Sequence, residues 1–339
     1  MEAPVFAAID LGSHTTRLLL AACQKHLELR PLCLERRVTR LAQGFDPHAG
    51  LTHEAMRRSL TAVKEYAGLI GRFEAGSVTC GATGVVRKAG NGLEFLRMVE
   101  KETGIRGTTL SEAAEATLSV KGILSGLTNK DAKVLAFDLG GSSTEFTVVA
   151  PSQPAPLWTT SVFVGATTVT EAYLRADPPA PSDLEAATRH VRLALQPTWM
   201  ALADLLRSLD LQAADLTLVG TAGTVTTLAA MYLRMAVYQP YRINGQVLAG
   251  SWIGDAIEQL AAQSLSERCS WLGLEKGRED IILAGALIVN EILAGLNRTD
   301  LVVTDAGLLE GLLLDRAETA MGLPRQLISQ FSWVWPAAA

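Results

Sequence analysis

Residues 134–149, reading Val-Leu-Ala-Phe-Asp-Leu-Gly-Gly-Ser-Ser-Thr-Glu-Phe-Thr-Val-Val, constrain the fold more than any other stretch. An apolar run reaches an acid, turns on two glycines and two hydroxyl residues, and resumes as β-branched and aromatic residues. That is the pattern of a β-hairpin whose tight loop displays backbone N–H groups. Glycines let such a loop approach an oxyanion closely, and Asp138 and Glu145 beside it can hold a hard cation. The N-terminus repeats the pattern over residues 7–20, with Asp10, Leu11, Gly12 and Thr16 in register with Asp138, Leu139, Gly140 and Thr144. Two copies of one phosphate-facing hairpin predict a duplicated fold with a cleft between its halves.

Two further glycine turns follow strands. Residues 216–228 read as a strand, a Gly/Thr loop containing Gly223 and Thr224, and the start of a helix. A helix N-terminus of this kind meets a phosphate or a nucleotide. Residues 301–311 repeat the strand-loop-helix form around Gly307. Four such turns at strand ends point to a phosphate site between two α/β domains.

The 339 residues, with 48% hydrophobic and 19% charged, are enough for two domains with real cores. A formal net charge of -5 argues against a broad nucleic-acid-binding surface, so any anion site must be local. No apolar stretch is long enough to span a bilayer, and the start of the chain lacks a basic signal-like region. The expected location is cytoplasmic, with no membrane partner. Cys23, Cys33, Cys80 and Cys269 form no Cys-x-x-Cys pair, which favours reduced thiols over a disulfide frame or a zinc site.

Along the chain, residues 33–38 read as a strand. Thr52 opens a helix with Met56, Leu60, Val63, Ala67 and Ile70 on one face. A strand is predicted at residues 77–81, followed by a loop over 82–88 that carries Arg87 and Lys88. Asn91 with Glu94 has the form of a capping box, and Ser111 caps a helix with Glu112 and Glu115 in its first turn. Spacing alone makes Glu115 a helix-end acid. The glycine-rich and polar run at 122–133 is the expected boundary, giving domains 1–129 and 130–304, with 305–339 as a returning helix and tail. Residues 150–157 are expected as a loop between paired strands. Ser182 with Glu185 is expected to cap a helix that Pro197 kinks or ends. Residues 281–293 should form a buried helix, the final helix should run from about Ala306 to Met321, and the aromatic tail at 331–336 should pack on the body or a partner.

These loops, in this order, resemble the exopolyphosphatase and guanosine pentaphosphate phosphatase family, from about Phe6 to Leu314. The likeness extends to Arg40-Leu41-Ala42-Gln43-Gly44, to residues 82–92, to residues 111–116, and to Arg278-Glu279-Asp280 with the run to Leu287. It implies an α/β, two-domain ASKHA fold (actin/Hsp70/sugar kinase-like, ribonuclease H-like) with an interdomain cleft, in the short form without a C-terminal HD-type domain. It also implies removal of the terminal phosphate of inorganic polyphosphate or of guanosine pentaphosphate, with Mg²⁺. Glu115 falls on the family's general base, Arg87 on its phosphate clamp, and Asp138 and Glu145 on its metal-holding acids. Gly12, Ser13, His14, Arg17, Gly140, Gly141, Ser142, Ser143, Gly223 and Thr224 make up the expected phosphate-binding set. The partners implied are polyphosphate or guanosine pentaphosphate and tetraphosphate; a homodimer stays open.

Four positions depart from the family pattern. His14 replaces an asparagine, Ser142 a glycine, and Thr168 and Leu309 each an arginine. Two accounts of Thr168 and Leu309 follow: lost cationic clamps, or apolar packing positions. Competing functions are a catalytically weakened sensor of phosphorylated ligands such as alarmones, and an ASKHA kinase that meets adenosine at Gly220-Thr221-Ala222-Gly223-Thr224.

Overall fold

The structure is a computed structural model describing residues 3–46, 48–127, 132–150, 153 and 155–334. The chain forms two units, one from residues 1–125 with 306–339, the other from residues 126–305. The expected boundary at 129/130 lies outside the described residues.

In the first unit, β1 (Val5–Leu11), β2 (Thr15–Cys23) and β3 (Glu28–Val38) form an antiparallel meander. β4 (Ser77–Ala82) and β5 (Gly107–Thr109) continue the sheet beyond β1 in parallel. The second unit repeats this arrangement. There β6 (Val134–Leu139), β7 (Thr144–Val149) and β8 (Trp158–Val162) are the meander, and β9 (Thr217–Thr221) pairs in parallel with β6. The edge differs: β10 (Gln246–Ala249) pairs antiparallel with β11 (Asp300–Val303), which lies parallel to β9. A short β12 (Ser332–Trp333) closes the far edge of the first sheet against β3. Among the described residues the two sheet orders are β12-β3-β2-β1-β4-β5 and β10-β11-β9-β6-β7-β8. Three antiparallel strands followed by parallel ones, twice in one chain, is the duplicated ribonuclease H-like plan of the ASKHA fold.

The two hairpins superpose in pairing as well as in sequence. Leu11 opposes Thr16 and Asp10 opposes Arg17; Leu139 opposes Thr144 and Asp138 opposes Glu145. In each, the glycine N–H donates across the loop, Gly12 to the Thr15 carbonyl at 3.1 Å and Gly140 to that of Ser143 at 3.0 Å.

β1 is apolar at nearly every position because both of its faces are covered. Ala7, Ile9 and Leu11 face a core closed by α1 (His53–Arg72), α2 (Gly84–Lys88) and α3 (Gly92–Thr103). Phe6 and Ala8 face another, where α4 (Glu112–Ser125) packs on α12 (Leu308–Met321) and α12 on the sheet. The core of the second unit packs one face of its sheet, carrying Leu135, Phe137, Phe146, Val148 and Leu218, together with α5 (Ala166–Tyr173), α6 (Pro181–Ser208), α7 (Ala222–Tyr232), α9 (Gly250–Ala262) and α11 (Ile282–Gly295). Two helical turns, α8 (Pro240–Ile243) and α10 (Leu265–Arg268), complete it.

Several local expectations hold. Thr52 caps α1 by accepting from the Ala55 N–H, Ser111 accepts from that of Ala114, and α11 is buried along nearly its whole length. Others need correction. Residues 84–88, expected as a loop, are the helical turn α2, with Arg87 and Lys88 in its last turn. Asn91 caps nothing with its side chain; it clips Leu51 instead, accepting from its N–H at 2.8 Å and donating to its carbonyl at 2.9 Å. The helix expected to start at Ser182 begins at Pro181, with Asp183 accepting from the Ala180 N–H. Pro197 does not end it, since α6 runs on to Ser208. The tail packs on its own unit: Phe331 is fully buried, and Trp333 donates its indole N–H to Ser125 at 2.9 Å. Residues 335 and 336 of that expected tail lie outside the described residues.

Candidate active site

In the first unit two segments converge on the loop between β1 and β2, residues 39–42 and the start of α2. The Ser13 carbonyl accepts from the Ala42 N–H at 2.9 Å, and the His14 carbonyl accepts from those of Thr39 and Arg40. The Ser13 hydroxyl accepts from the Val85 N–H at 3.4 Å, at the start of α2. Gly84 sits at φ +45, and a Cβ there would stand 2.8 Å from that hydroxyl. Glycine at 84 relieves the strain of that φ and leaves room for the close approach of Ser13. The His14 side chain is exposed.

Arg17, expected to bind phosphate, forks onto Asp10 across the hairpin, its Nε and Nη2 at 3.3 and 3.1 Å from one carboxylate oxygen. Asp10 is 7% exposed, and its other oxygen is buried without a hydrogen bond. Burial pushes the Asp10 carboxyl above its ordinary range, against the opposing pull of Arg17. Cys80, buried on the neighbouring strand, is pushed up to about 12 by burial and by the Asp10 charge, so its thiol is inert.

Arg87 and Glu115 meet. The last turn of the short α2 carries Arg87, whose Nη1 lies 2.6 Å from a Glu115 oxygen and donates to the Leu110 carbonyl at 3.0 Å. Its Nη2 lies 3.4 Å from Glu112 at the first turn of α4. Both members are partly open, with side chains 23% and 30% exposed. Residues 28 apart in sequence thus form a guanidinium–carboxylate pair at a helix N-terminus, where an acid is favoured by the dipole.

What fixes that pair is the packing of α4 on α12. A Cβ on Gly122 would stand 1.8 Å from the Gly307 carbonyl, and one on Gly311 1.8 Å from that of Leu118. Beside this contact Lys121 and Glu318, 4% and 0% exposed, form a buried ion pair at 2.5 Å. Lys121 also donates to the Gln326 carbonyl, and Ser329 donates to Glu318 at 2.8 Å. Sequence reasoning passed over this pair, because the partners stand 197 positions apart with no motif to link them.

The second unit carries the acids. Asp138 and Glu145 are direct cross-strand partners, so their side chains lie on one face of the sheet. Glu145 accepts from Ser143 at 2.6 Å and from Ser161 at 2.9 Å on the same oxygen. The first hairpin has Asp opposite Arg here; the second has Asp opposite Glu. Two carboxylates side by side destabilise a sheet unless a cation lies between them. Gly141 and Ser142 are exposed at the loop tip. Behind the loop, the N–H groups of Thr167 and Thr168 donate to the Gly141 carbonyl at 2.8 and 3.1 Å. Thr168 also exchanges hydrogen bonds with the Gly165 backbone at 3.0 Å, so it anchors the start of α5.

Gly223 opens toward a cation: a Cβ there would lie 2.3 Å from Nη2 of Arg278, whose Nε is held by Glu275 at 2.5 Å. Thr224, expected beside it as a phosphate ligand, is 3% exposed, its methyl group packed toward Gly285 of α11. Leu309 is fully buried against Phe6, Ala8 and Leu19. Of the two accounts of position 309, packing is the one the fold supports.

A duplicated ASKHA fold with glycine turns at its strand ends, a guanidinium–carboxylate pair and a cross-strand carboxylate pair defines a phosphate-handling protein. The profile of the Ppx/GppA phosphatase family matches residues 20–320, and the chain belongs to that family. An exopolyphosphatase 2 of Mycobacterium tuberculosis is 31% identical over 323 residues, covering 92% of this chain and 98% of its own length. A bifunctional 3-dehydroquinate synthase/phosphatase of Fusobacterium nucleatum is 27% identical over 92% of this chain, which spans 46% of that protein. Among solved structures, a Ppx/GppA phosphatase of Aquifex aeolicus aligns with TM-score 0.79 and 26% identity over 92% of this chain and 99% of its own. Among the described residues no helix is long and apolar enough to cross a membrane.

Proposed function

We propose that this protein hydrolyses the terminal phosphoanhydride of inorganic polyphosphate, with guanosine pentaphosphate as the second substrate to test. The observation that carries the reading is the 2.6 Å pairing of Arg87 with Glu115. A guanidinium has five donors, so Arg87 can keep Glu115 on one edge and take up a phosphoryl oxygen on another. An incoming phosphate competes for the charge of Arg87 and loosens its hold on Glu115. The carboxylate is then available to orient a water and accept its proton as that water attacks phosphorus. The proton goes to Glu115, the electron pair of the breaking P–O bond goes to the shortened chain, and orthophosphate leaves. Backbone N–H groups of the loops at 12–15 and 140–143 suit phosphate oxygens, because little covalent work is required and positioning with charge stabilisation dominates.

Mg²⁺ belongs to the same reading. Adjacent carboxylates of Asp138 and Glu145 fit a hard cation that keeps most of its waters and needs only one or two acids. When bound, it would neutralise phosphate charge. Phosphate release from polyphosphate, guanosine pentaphosphate and ATP, each with and without Mg²⁺, tests the proposal. Release from polyphosphate that requires the cation is the expected result. No release from any of the three would overturn it.

A further inference from the structure

One row of side chains crosses the loop end of the second sheet on a single face. Asp138 of β6 opposes Glu145 of β7, and Glu145 opposes Ser161 of β8. Directly opposed residues point to the same side of a sheet, so the three stand side by side. Asp138 and Ser161 are exposed and Glu145 is half-buried, whereas Phe137 and Phe146, one step along their strands, are fully buried in the core. The equivalent row of the first unit is Asp10, Arg17 and Arg36. There one acid meets two cations; here two acids meet a hydroxyl.

Ser161 closes off one side of Glu145. Its hydroxyl donates to Oε1 at 2.9 Å, and the Ser143 hydroxyl donates to the same oxygen at 2.6 Å. Two donors fill both lone pairs of that oxygen. Among the described residues no hydrogen bond reaches Oε2. The two hydroxyls come from different segments, the loop before β7 and the edge strand β8. The carboxylate therefore cannot turn without losing both bonds.

We propose that Ser161 is a positioning residue that sets which cation the acid pair accepts; this rests on the reading of Asp138 and Glu145 as the Mg²⁺ site. With Oε1 occupied, Glu145 has one oxygen to offer. Mg²⁺ keeps several waters and needs only one or two carboxylates, so one oxygen is enough. Ca²⁺ takes roughly 6–8 oxygens and commonly grips a carboxylate by both, so it loses more by the blockade. Ser161 thus holds Glu145 ready for a hydrated cation and disfavours the larger ion.

The test is titration of the full chain with Mn²⁺ in the absence of substrate, the free ion being counted by electron paramagnetic resonance. Mg²⁺ and Ca²⁺ are then added as competitors. Ser161→Ala should weaken Mn²⁺ binding by about tenfold, the usual cost of removing a group that orients a metal ligand, and shift the competition in favour of Ca²⁺. Ser161→Thr keeps the hydroxyl and should restore both. The melting temperature should stay the same in each variant, because position 161 is exposed. Unchanged Mn²⁺ affinity and an unchanged Mg²⁺ to Ca²⁺ preference in Ser161→Ala would overturn this inference alone and leave the acid pair as a cation site. A loss of affinity that Ser161→Thr does not repair would also overturn it, since the hydroxyl would not be the cause. A parent that binds no Mn²⁺ at millimolar concentration would reject the cation site itself, and the role of Ser161 with it.

Discussion

Arg87 and Glu115 each hold the other in place, and this decides how the candidate base is tested. Glu115→Gln keeps the size of the side chain and leaves Arg87 its bond to the Leu110 carbonyl. Turnover is expected to fall by about 10²–10⁴-fold with little change in melting temperature. Unchanged turnover in a phosphate-release assay would leave Glu115 as a counter-ion of Arg87 and no more. Asp10 makes a pH prediction. Its carboxyl is raised above the ordinary value of 3.8, chiefly by burial, so the folded state holds that proton more tightly than the unfolded chain. The resulting stability is present at low pH and is lost as pH rises through the folded pKa. The urea midpoint of the parent, measured relative to Asp10→Asn, should therefore fall from pH 4 toward neutrality. A difference that stays flat would mean that Arg17 cancels the cost of burial. At position 309, Leu309→Arg should gain no affinity for polyphosphate. It should destabilise by on the order of 3–5 kcal/mol through an unpaired buried charge, read from a denaturant curve.

At the scale of elements, the packing of α4 on α12 carries the candidate base. Their backbones approach through Gly122 and Gly311, and the Lys121–Glu318 pair closes the contact. Lys121→Met leaves the Glu318 carboxylate charged and buried with, among the described residues, Ser329 as its remaining side-chain partner, a loss of about 3–5 kcal/mol. Replacing both partners with apolar residues of similar volume should recover most of that loss. A single variant as stable as the double one would show the pair to be idle. The hairpins make the complementary case. They share register and loop hydrogen bonding, yet one exchange, Arg17 against Glu145, makes the first self-neutralised and the second doubly acidic. Asp138→Ala should raise the Mg²⁺ concentration needed for half-maximal activity, and an identical Mg²⁺ titration in parent and variant would reject that pair as a cation site.

Over the whole molecule, the units differ in how the chain builds them. Residues 126–305 are continuous, whereas residues 1–125 need 306–339 to complete their core. Leu309, Leu312, Leu313, Leu314, Ala317 and Phe331 cover the face of the first sheet that Phe6, Ala8 and Leu19 present. A chain ending at Asp305 should leave that face open. Limited proteolysis should then digest residues 1–125 rapidly while a fragment near 126–305 persists. Equal resistance of both halves would show that the first unit folds without its C-terminal helix.

By itself the sequence determined what is periodic or local: the two hairpins in register, the glycine turns at strand ends, the amphipathic α1 and the all-apolar α11. Those signals are strong because strand alternation and turn chemistry involve neighbours in the chain. The family's motifs likewise named Glu115, Arg87, Asp138 and Glu145 by position. Only the tertiary structure decided which side chains are engaged. Arg17 turns to Asp10, Asn91 to Leu51 rather than to its own helix, and Thr224 and Leu309 into cores. Lys121 finds Glu318 across 197 residues. Each of these depends on which surfaces meet when distant segments pack, and a buried charge or amide takes whichever partner that packing brings within hydrogen-bond reach.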